Sequence, residues 1–371
     1  SGGLDSRLIA AVCEAPPLCI TMHSHPGYEV RTARRVADAL GCEHQFVQLP
    51  PDYPLARVTD GALISDGMGS FHHAQFLYLA DMLAERGTDL LLSGTYLELL
   101  FSDTLLPKRR MRALGRGLRL PVLAPEDHFD VARFVWRRRA LDRVPRVREL
   151  VHGDRLDRVL GELQQRIAAG LPPSPDGTSD VYDFATFIYF SHSCLNRSNL
   201  NVQATERLVP APILAFDTEL IDLFFTIPPQ HRLLHRLYAH IFTTIDRRCR
   251  WIPYSNYGVP LFNSALLEFV AASISRTLTR GLCAGLRRIS KAHGESLARR
   301  AWPRVATAMK DCPEWHNYLR GRLASSRLVD MGGVCGDALH RLVEDQIAGT
   351  DNRWGLVGNW ITLEEWLAHY G

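Results

Sequence analysis

The chain has 371 residues, 46% hydrophobic and 22% charged, the balance of a globular enzyme rather than of a disordered, collagen-like or disulfide-stapled chain. Its 43 basic and 40 acidic residues leave a net charge of +3, too near neutral for a dedicated nucleic-acid binder. Only three of the basic residues are lysines (Lys108, Lys291 and Lys310), and none follows a glycine. A Walker-type loop needs Gly-Lys-Ser/Thr and is therefore excluded.

The first hundred residues alternate in a βα rhythm. A glycine-rich opening, Ser1-Gly2-Gly3-Leu4-Asp5-Ser6, leads into a short helix over 7–13, which Pro16-Pro17 ends. Residues 18–22 form an apolar run of strand length. Residues 27–40 predict a helix, because Val30, Ala33, Ala37 and Leu40 recur at three- and four-residue steps, and Gly41 sits where a C-cap belongs. A strand over 44–49 follows, then a helix over 74–86 and a buried strand over 89–92 that runs straight into Ser93-Gly94. This alternation predicts an α/β fold, a parallel sheet with flanking helices on both faces. Residues 107–180 read as an arginine-rich helical insertion closed by a proline-containing loop, and 181–371 as a mainly helical remainder. Between 107 and 158 stand 15 basic and seven acidic residues, either a solvated face or a surface for an acidic partner.

The eight cysteines are scattered without a C-x-x-C pair, as free thiols of a reducing compartment would be. No apolar run nears the ~18 residues that span a bilayer, and no signal peptide opens the chain, so a cytoplasmic location is expected. A glycine-rich loop normally follows a strand. Its position at residue 1, without an initiator methionine, leads to the expectation that the chain is a fragment whose upstream part is missing.

The opening loop carries the strongest chemistry. Gly2 and Gly3 let the backbone approach an anion, Ser1 and Ser6 add hydroxyl donors, and the helix behind them lends its N-terminal dipole. Asp5 would repel a phosphate unless a divalent cation lay between them, which implies Mg²⁺.

These residues resemble the pyrophosphate loop of the ATP pyrophosphatases, and the rest of the chain narrows the resemblance to the asparagine synthetase family. Glu29 with Ala33, Ala37, Gly41 and His44 is similar to that family's E-x-x-x-A-x-x-x-A-x-x-x-G-x-x-H stretch. Ser93-Gly94 followed by Glu98-Leu99-Leu100-Phe101 resembles its second loop, usually Ser-Gly-Glu-Gly-Ala-Asp-Glu-Leu-Phe. The stretch from Val209-Pro210 through Asp217, Ile221-Asp222 and Pro228-Pro229 resembles P-F-L-D-x-x-L-I-D…L-P-P, and Ile252-Pro253, Gly258–Leu261 and Leu363–Leu367 look like bacterial members. The resemblance implies an adenine nucleotide α-hydrolase-like parallel sheet of about five strands, in residues 1–106 with its first strand missing, a C-terminal helical lobe, and an AMP-forming amide ligase using ATP and Mg²⁺. It assigns the metal to Asp5 and Glu98, the nucleotide to Ser1, Gly2, Gly3, Asp5, Ser6, Met22, Ser93 and Gly94, and the catalytic set to Asp5, Glu98 and Arg236. The implied substrates are aspartate and ammonia drawn from glutamine, the latter supplied by an upstream glutaminase domain. A homodimer is one option for its assembly.

The departures bear on mechanism. Thr95 stands where the family has a glutamate and cannot act as a carboxylate base, Leu99 replaces an acid, and Arg236 (or Arg232, if the register slips) replaces a lysine. Arginine stabilises phosphate charge but does not readily exchange a proton. They leave two alternatives: the same adenylation on another carboxylate, as in β-lactam- or peptide-forming relatives, or a catalytically silent homologue that binds or scaffolds through the arginine-rich segment. His23, His25 and His44 could form a metal trio, but their spacing crosses separate elements and favours loop or satisfied site-edge histidines. His72-His73 fit a first helical turn, and Ser191-His192 lack a nucleophile-elbow pattern.

Overall fold

The computed structural model describes residues 1–50, 52–74, 76–103, 106, 108–113, 116–123, 147–151, 153–170, 183, 200–289 and 305–371. Two compact units emerge, each woven from three stretches. Ser1–Pro50, Leu91–His128 and Ala211–Pro303 form the first, and Pro51–Leu90, Phe129–Pro210 and Arg304–Gly371 the second.

The first unit begins with α1 (Leu4–Val12), β1 (Cys19–His23), α2 (Tyr28–Leu40) and β2 (His44–Gln48). α1 buries Leu4 and Leu8, one turn apart on the same face. α2 buries Val30, Ala33, Val36 and Ala37 in the same periodicity, and Gly41 closes it at φ 72°, a left-handed position that suits a residue without a Cβ. β1 and β2 pair in parallel from Cys19↔His44 to His23↔Gln48, so the expected βαβ unit forms with each element within two or three residues of its expected bounds.

The predicted strand over 89–92 is not one. Its backbone joins no sheet among the described residues, and Leu90 and Leu92 are 50% and 36% exposed. An extended apolar run becomes a strand only beside a partner that takes up its N–H and C=O groups. Among the described residues the parallel sheet therefore has two strands, fewer than the five expected.

Residues 108–123 also differ from the helical insertion expected there. β3 (Lys108–Ala113) and β4 (Arg116–Leu123) form an antiparallel pair. Gly115, Gly117 and Pro121 all weaken a helix in this stretch. Most of the arginine-rich segment, and Ser191-His192, lie outside the described residues.

Beyond the short helix Leu97–Phe101, the described residues of the first unit include the helices Thr218–Thr226, Arg236–Thr244, Arg247–Trp251 and Ala265–Ile289. Asp217 caps Thr218–Thr226 by accepting from the Leu220 N–H at 2.9 Å, and Asp246 caps Arg247–Trp251 through the Arg248 N–H at 2.8 Å.

The described part of the second unit is helical. Trp315, Leu319, Leu339, Val343, Val357 and Ile361 are fully buried and interleave the helices Pro313–Ala324, Gly336–Ala348 and Trp354–Tyr370. Two adjacent acids on the last helix are buried with them. Glu364 accepts from Ser326 Oγ at 2.5 Å and from Trp360 Nε1 and the Arg327 N–H, both at 3.0 Å. Glu365 accepts from Thr59 and Tyr318 hydroxyls at 2.6 Å each and pairs with Arg322 at 2.5 Å. Full satisfaction offsets the cost of burying two charges. His72 and His73 lie in a 3₁₀ turn, Phe71–Ala74, ahead of the helix Leu77–Glu85.

Candidate functional site

The opening loop sits at the N-terminus of α1 and is held from behind by buried groups. Gly2 is packed so closely that a Cβ would stand 2.9 Å from the Thr32 Cβ, and its N–H donates to Glu29 Oε1 at 2.8 Å. Gly2 is thus needed for close approach, while its amide is turned to Glu29 instead of into the loop. Arg7, fully buried, donates to the carbonyls of Cys249 and Ile252 at 2.6 and 2.7 Å and to that of Gly2 at 3.3 Å. One guanidinium fork fastens the loop to the helix Arg247–Trp251 and the residue that follows it.

The front of the loop is polar and more open. Ser1 and Ser6 hydroxyls meet at 3.0 Å, and the Gly3 N–H donates to Ser1 Oγ at 3.3 Å. Gly3 is the N-cap of α1 and supplies no side-chain cap, so the helix presents its N-terminal amides and positive dipole end beside two hydroxyls. That is an anion cradle in donor chemistry.

Asp5 lies in the first turn of α1, and Tyr238 on the helix Arg236–Thr244 donates its hydroxyl to Asp5 Oδ1. Burial pushes the Asp5 carboxyl up to about 7. The Tyr238 bond lowers it, and the negative charge of Glu98 raises it further. The Tyr238 hydroxyl is in turn held well above its ordinary value by burial and by Asp5.

The second loop packs directly on this carboxylate. A Cβ on Gly94 would stand 2.3 Å from the Asp5 Cβ, which leaves glycine as the residue that fits. Ser93 and Thr95 hydroxyls pair at 2.8 Å. Tyr96 adopts a left-handed φ of 71° and stacks on Phe216, and Glu98 follows in the first turn of the helix Leu97–Phe101, where its side chain is exposed.

Asp5, Gly94 and Glu98 are therefore brought together around the loop of Ser1, Gly3 and Ser6. Met22 is buried on β1 at 6% exposure, one residue before its carboxyl end. Arg236 is half-buried and donates to the Gln230 carbonyl at 3.3 Å. It is two residues from Tyr238 on one helix, so the two side chains leave on different faces. Arg232 is buried with its guanidinium 4.3 Å over the Phe224 ring. The histidine trio does not assemble: His23 and His25 meet edge to face at 4.6 Å, whereas His44 Nε2 lies 3.0 Å from Thr21 Oγ1. No group of three metal-ligating side chains occurs among the described residues.

Arg7, Tyr238 and a buried His235–Glu268–Tyr254 cluster were not anticipated from the sequence. Tyr238 and His235 lie in the stretch around Arg236 and could have been read as the buried face of an amphipathic helix. A buried arginine has no such signal, since arginine is ordinarily exposed.

Residues 1–165 match the asparagine synthase family. None of the curated proteins matches the chain. The match begins at the loop that Arg7 anchors and runs through both acids of the site, Asp5 and Glu98, so the first 165 residues of this chain are similar to the asparagine synthase domain of a family of ATP-dependent amide ligases.

Proposed function

We propose that this protein activates a carboxylate with ATP and passes it to an amine nitrogen, releasing AMP and pyrophosphate. The carboxylate oxygen attacks the α-phosphorus, pyrophosphate leaves, and ammonia then displaces AMP to form the amide. The observation that carries this reading is the buried Asp5 carboxylate. It is packed on Gly94 and raised to about 7, chiefly by burial and in part by the charge of Glu98. A buried acid beside a second carboxylate at a phosphate-type cradle fits a divalent cation, so Asp5 and Glu98 would hold Mg²⁺, which supplies charge neutralisation to the departing pyrophosphate when bound.

The chain's own groups do the rest. Ser1, Gly3, Ser6 and the N-terminal amides of α1 receive pyrophosphate oxygens, and Gly2 keeps the loop tight against α2. Met22, Ser93 and Gly94 line the adenosine side. Arg236 reaches the reacting phosphate by leaving the Gln230 carbonyl. Aspartate is the carboxylate the family suggests, with ammonia from glutamine cleaved by a glutaminase domain upstream. Free thiols at Cys13, Cys19, Cys42, Cys249, Cys312 and Cys335 support a reducing, cytoplasmic setting. No helix among the described residues is long and apolar enough to cross a membrane.

A second reading keeps the adenylation and changes the carboxylate. It is favoured by Thr95, whose hydroxyl is paired with Ser93, and by Leu99, which leave Glu98 as the one acid of the second loop from 93 to 99. Glu98→Gln tests the shared metal role: the Mg²⁺ concentration for half-maximal AMP formation rises at least tenfold. An unchanged requirement refutes the assignment.

A further inference from the structure

Behind Tyr238, in the same unit, the helix Ala265–Ile289 carries Glu268 at 1% exposure. Its Oε1 accepts from the Tyr254 hydroxyl at 2.6 Å and lies 2.5 Å from His235 Nδ1. Its Oε2 is equally buried and has no hydrogen-bond partner. An acceptor taken out of water and left unpaired costs about 1–3 kcal/mol, more when charged. Such a group in a native site calls for a ligand or an ion.

Space for a ligand exists. A cavity of about 190 Å³ opens against Glu268 and is walled by Leu120, Pro121, Phe269, Ala272 and the rings of Tyr254 and Tyr257. A cavity of about 150 Å³ already holds a benzene ring. The two cations on the same walls are engaged elsewhere: Lys108 Nζ is 2.6 Å from Asp103 Oδ1, and Arg276 lies 5.0 Å over the Tyr257 ring with its Nε donating to the Ala272 carbonyl. The unmet requirement is thus an N–H donor attached to an apolar, ring-sized body.

We propose that this cavity is a binding site for a small primary amine with an apolar body, its ammonium donating to Glu268 Oε2 while the body rests on Tyr254, Tyr257 and Phe269. The site shares no residue with the phosphate loop and its occupancy does not depend on ATP. The His235 ring nonetheless lies 6.3 Å from that of Tyr238, whose hydroxyl reaches Asp5, so the ligand sits one side chain behind the loop.

Benzylamine and benzyl alcohol are alike in shape and differ in charge, and calorimetric titration of the intact protein with each tests the proposal. The wild type binds benzylamine at least tenfold more tightly than the alcohol. Glu268→Gln removes that preference, and Ala272→Leu, which narrows the cavity, weakens both ligands at least tenfold. Circular dichroism checks that each variant is folded; if Glu268→Gln is not, the wild-type preference together with Ala272→Leu decides. Equal or absent binding of the two probes to the wild type overturns the proposal. So does a preference that survives Glu268→Gln, or binding indifferent to Ala272→Leu.

Discussion

Replacing Asp5 by asparagine separates the burden that this carboxylate places on the fold from the work it does. Its ionised form is disfavoured chiefly by burial, with the carboxyl raised from an ordinary 3.8 to about 7. Below about pH 4 the group is protonated in both folded and unfolded chains and costs nothing. Between there and about pH 7 the folded protein holds a proton that the unfolded chain has released, so stability falls as pH rises. At about 1.4 kcal/mol per pH unit the full penalty approaches about 4 kcal/mol above neutrality. Asparagine keeps an oxygen for the Tyr238 hydroxyl and never ionises. Asp5→Asn is therefore about as stable as the wild type at pH 4 and more stable at pH 8, by about 2–4 kcal/mol, in the absence of divalent metal. Urea unfolding followed by circular dichroism at both pH values measures the difference. A variant that is equal or less stable at pH 8 refutes the argument that Asp5 is a strained, desolvated acid.

Other consequences follow from the same geometry. Gly94→Ala drives a Cβ to within 2.3 Å of Asp5, so AMP formation falls at least tenfold with a loss of about 1–3 kcal/mol in stability, read by denaturant titration. Arg7→Met strands the carbonyls of Cys249, Ile252 and Gly2 and costs about 2–5 kcal/mol, with nucleotide affinity lost in the same variant; unchanged stability removes Arg7 as the loop's anchor. Trp315→Ala empties the core of the second unit and costs about 3–5 kcal/mol in the same assay.

Local elements were the most legible part of the sequence. α1, β1, α2 and β2 lie within two or three residues of their expected bounds because their apolar spacing and the Gly41 cap are local signals. The 89–92 stretch has the same apolar look as β1 and lacks a hydrogen-bonded neighbour, which composition does not reveal. The antiparallel pairing of β3 with β4 was obscured by arginines, whose abundance says solvated surface before it says strand or helix. The site was legible where residues are adjacent, as in 1–6, and where a second loop has a spacing of its own, as in 93–98. It was not legible where the partner is distant in sequence: Tyr238 on Asp5, Arg7 on Cys249, and His235 on Glu268 join residues 33 to 242 positions apart. The assembly of each unit from three separate stretches has the same cause, since it rests on contacts within the unit between stretches that share no short pattern.

The most direct test supplies the protein with ATP, Mg²⁺, ammonium and a panel of carboxylates headed by aspartate, and follows the nucleotide products by chromatography. The expected result is carboxylate-dependent release of AMP and pyrophosphate, abolished in folded Asp5→Asn. Formation of ADP in place of AMP, no carboxylate-dependent turnover, or full activity in Asp5→Asn contradicts it.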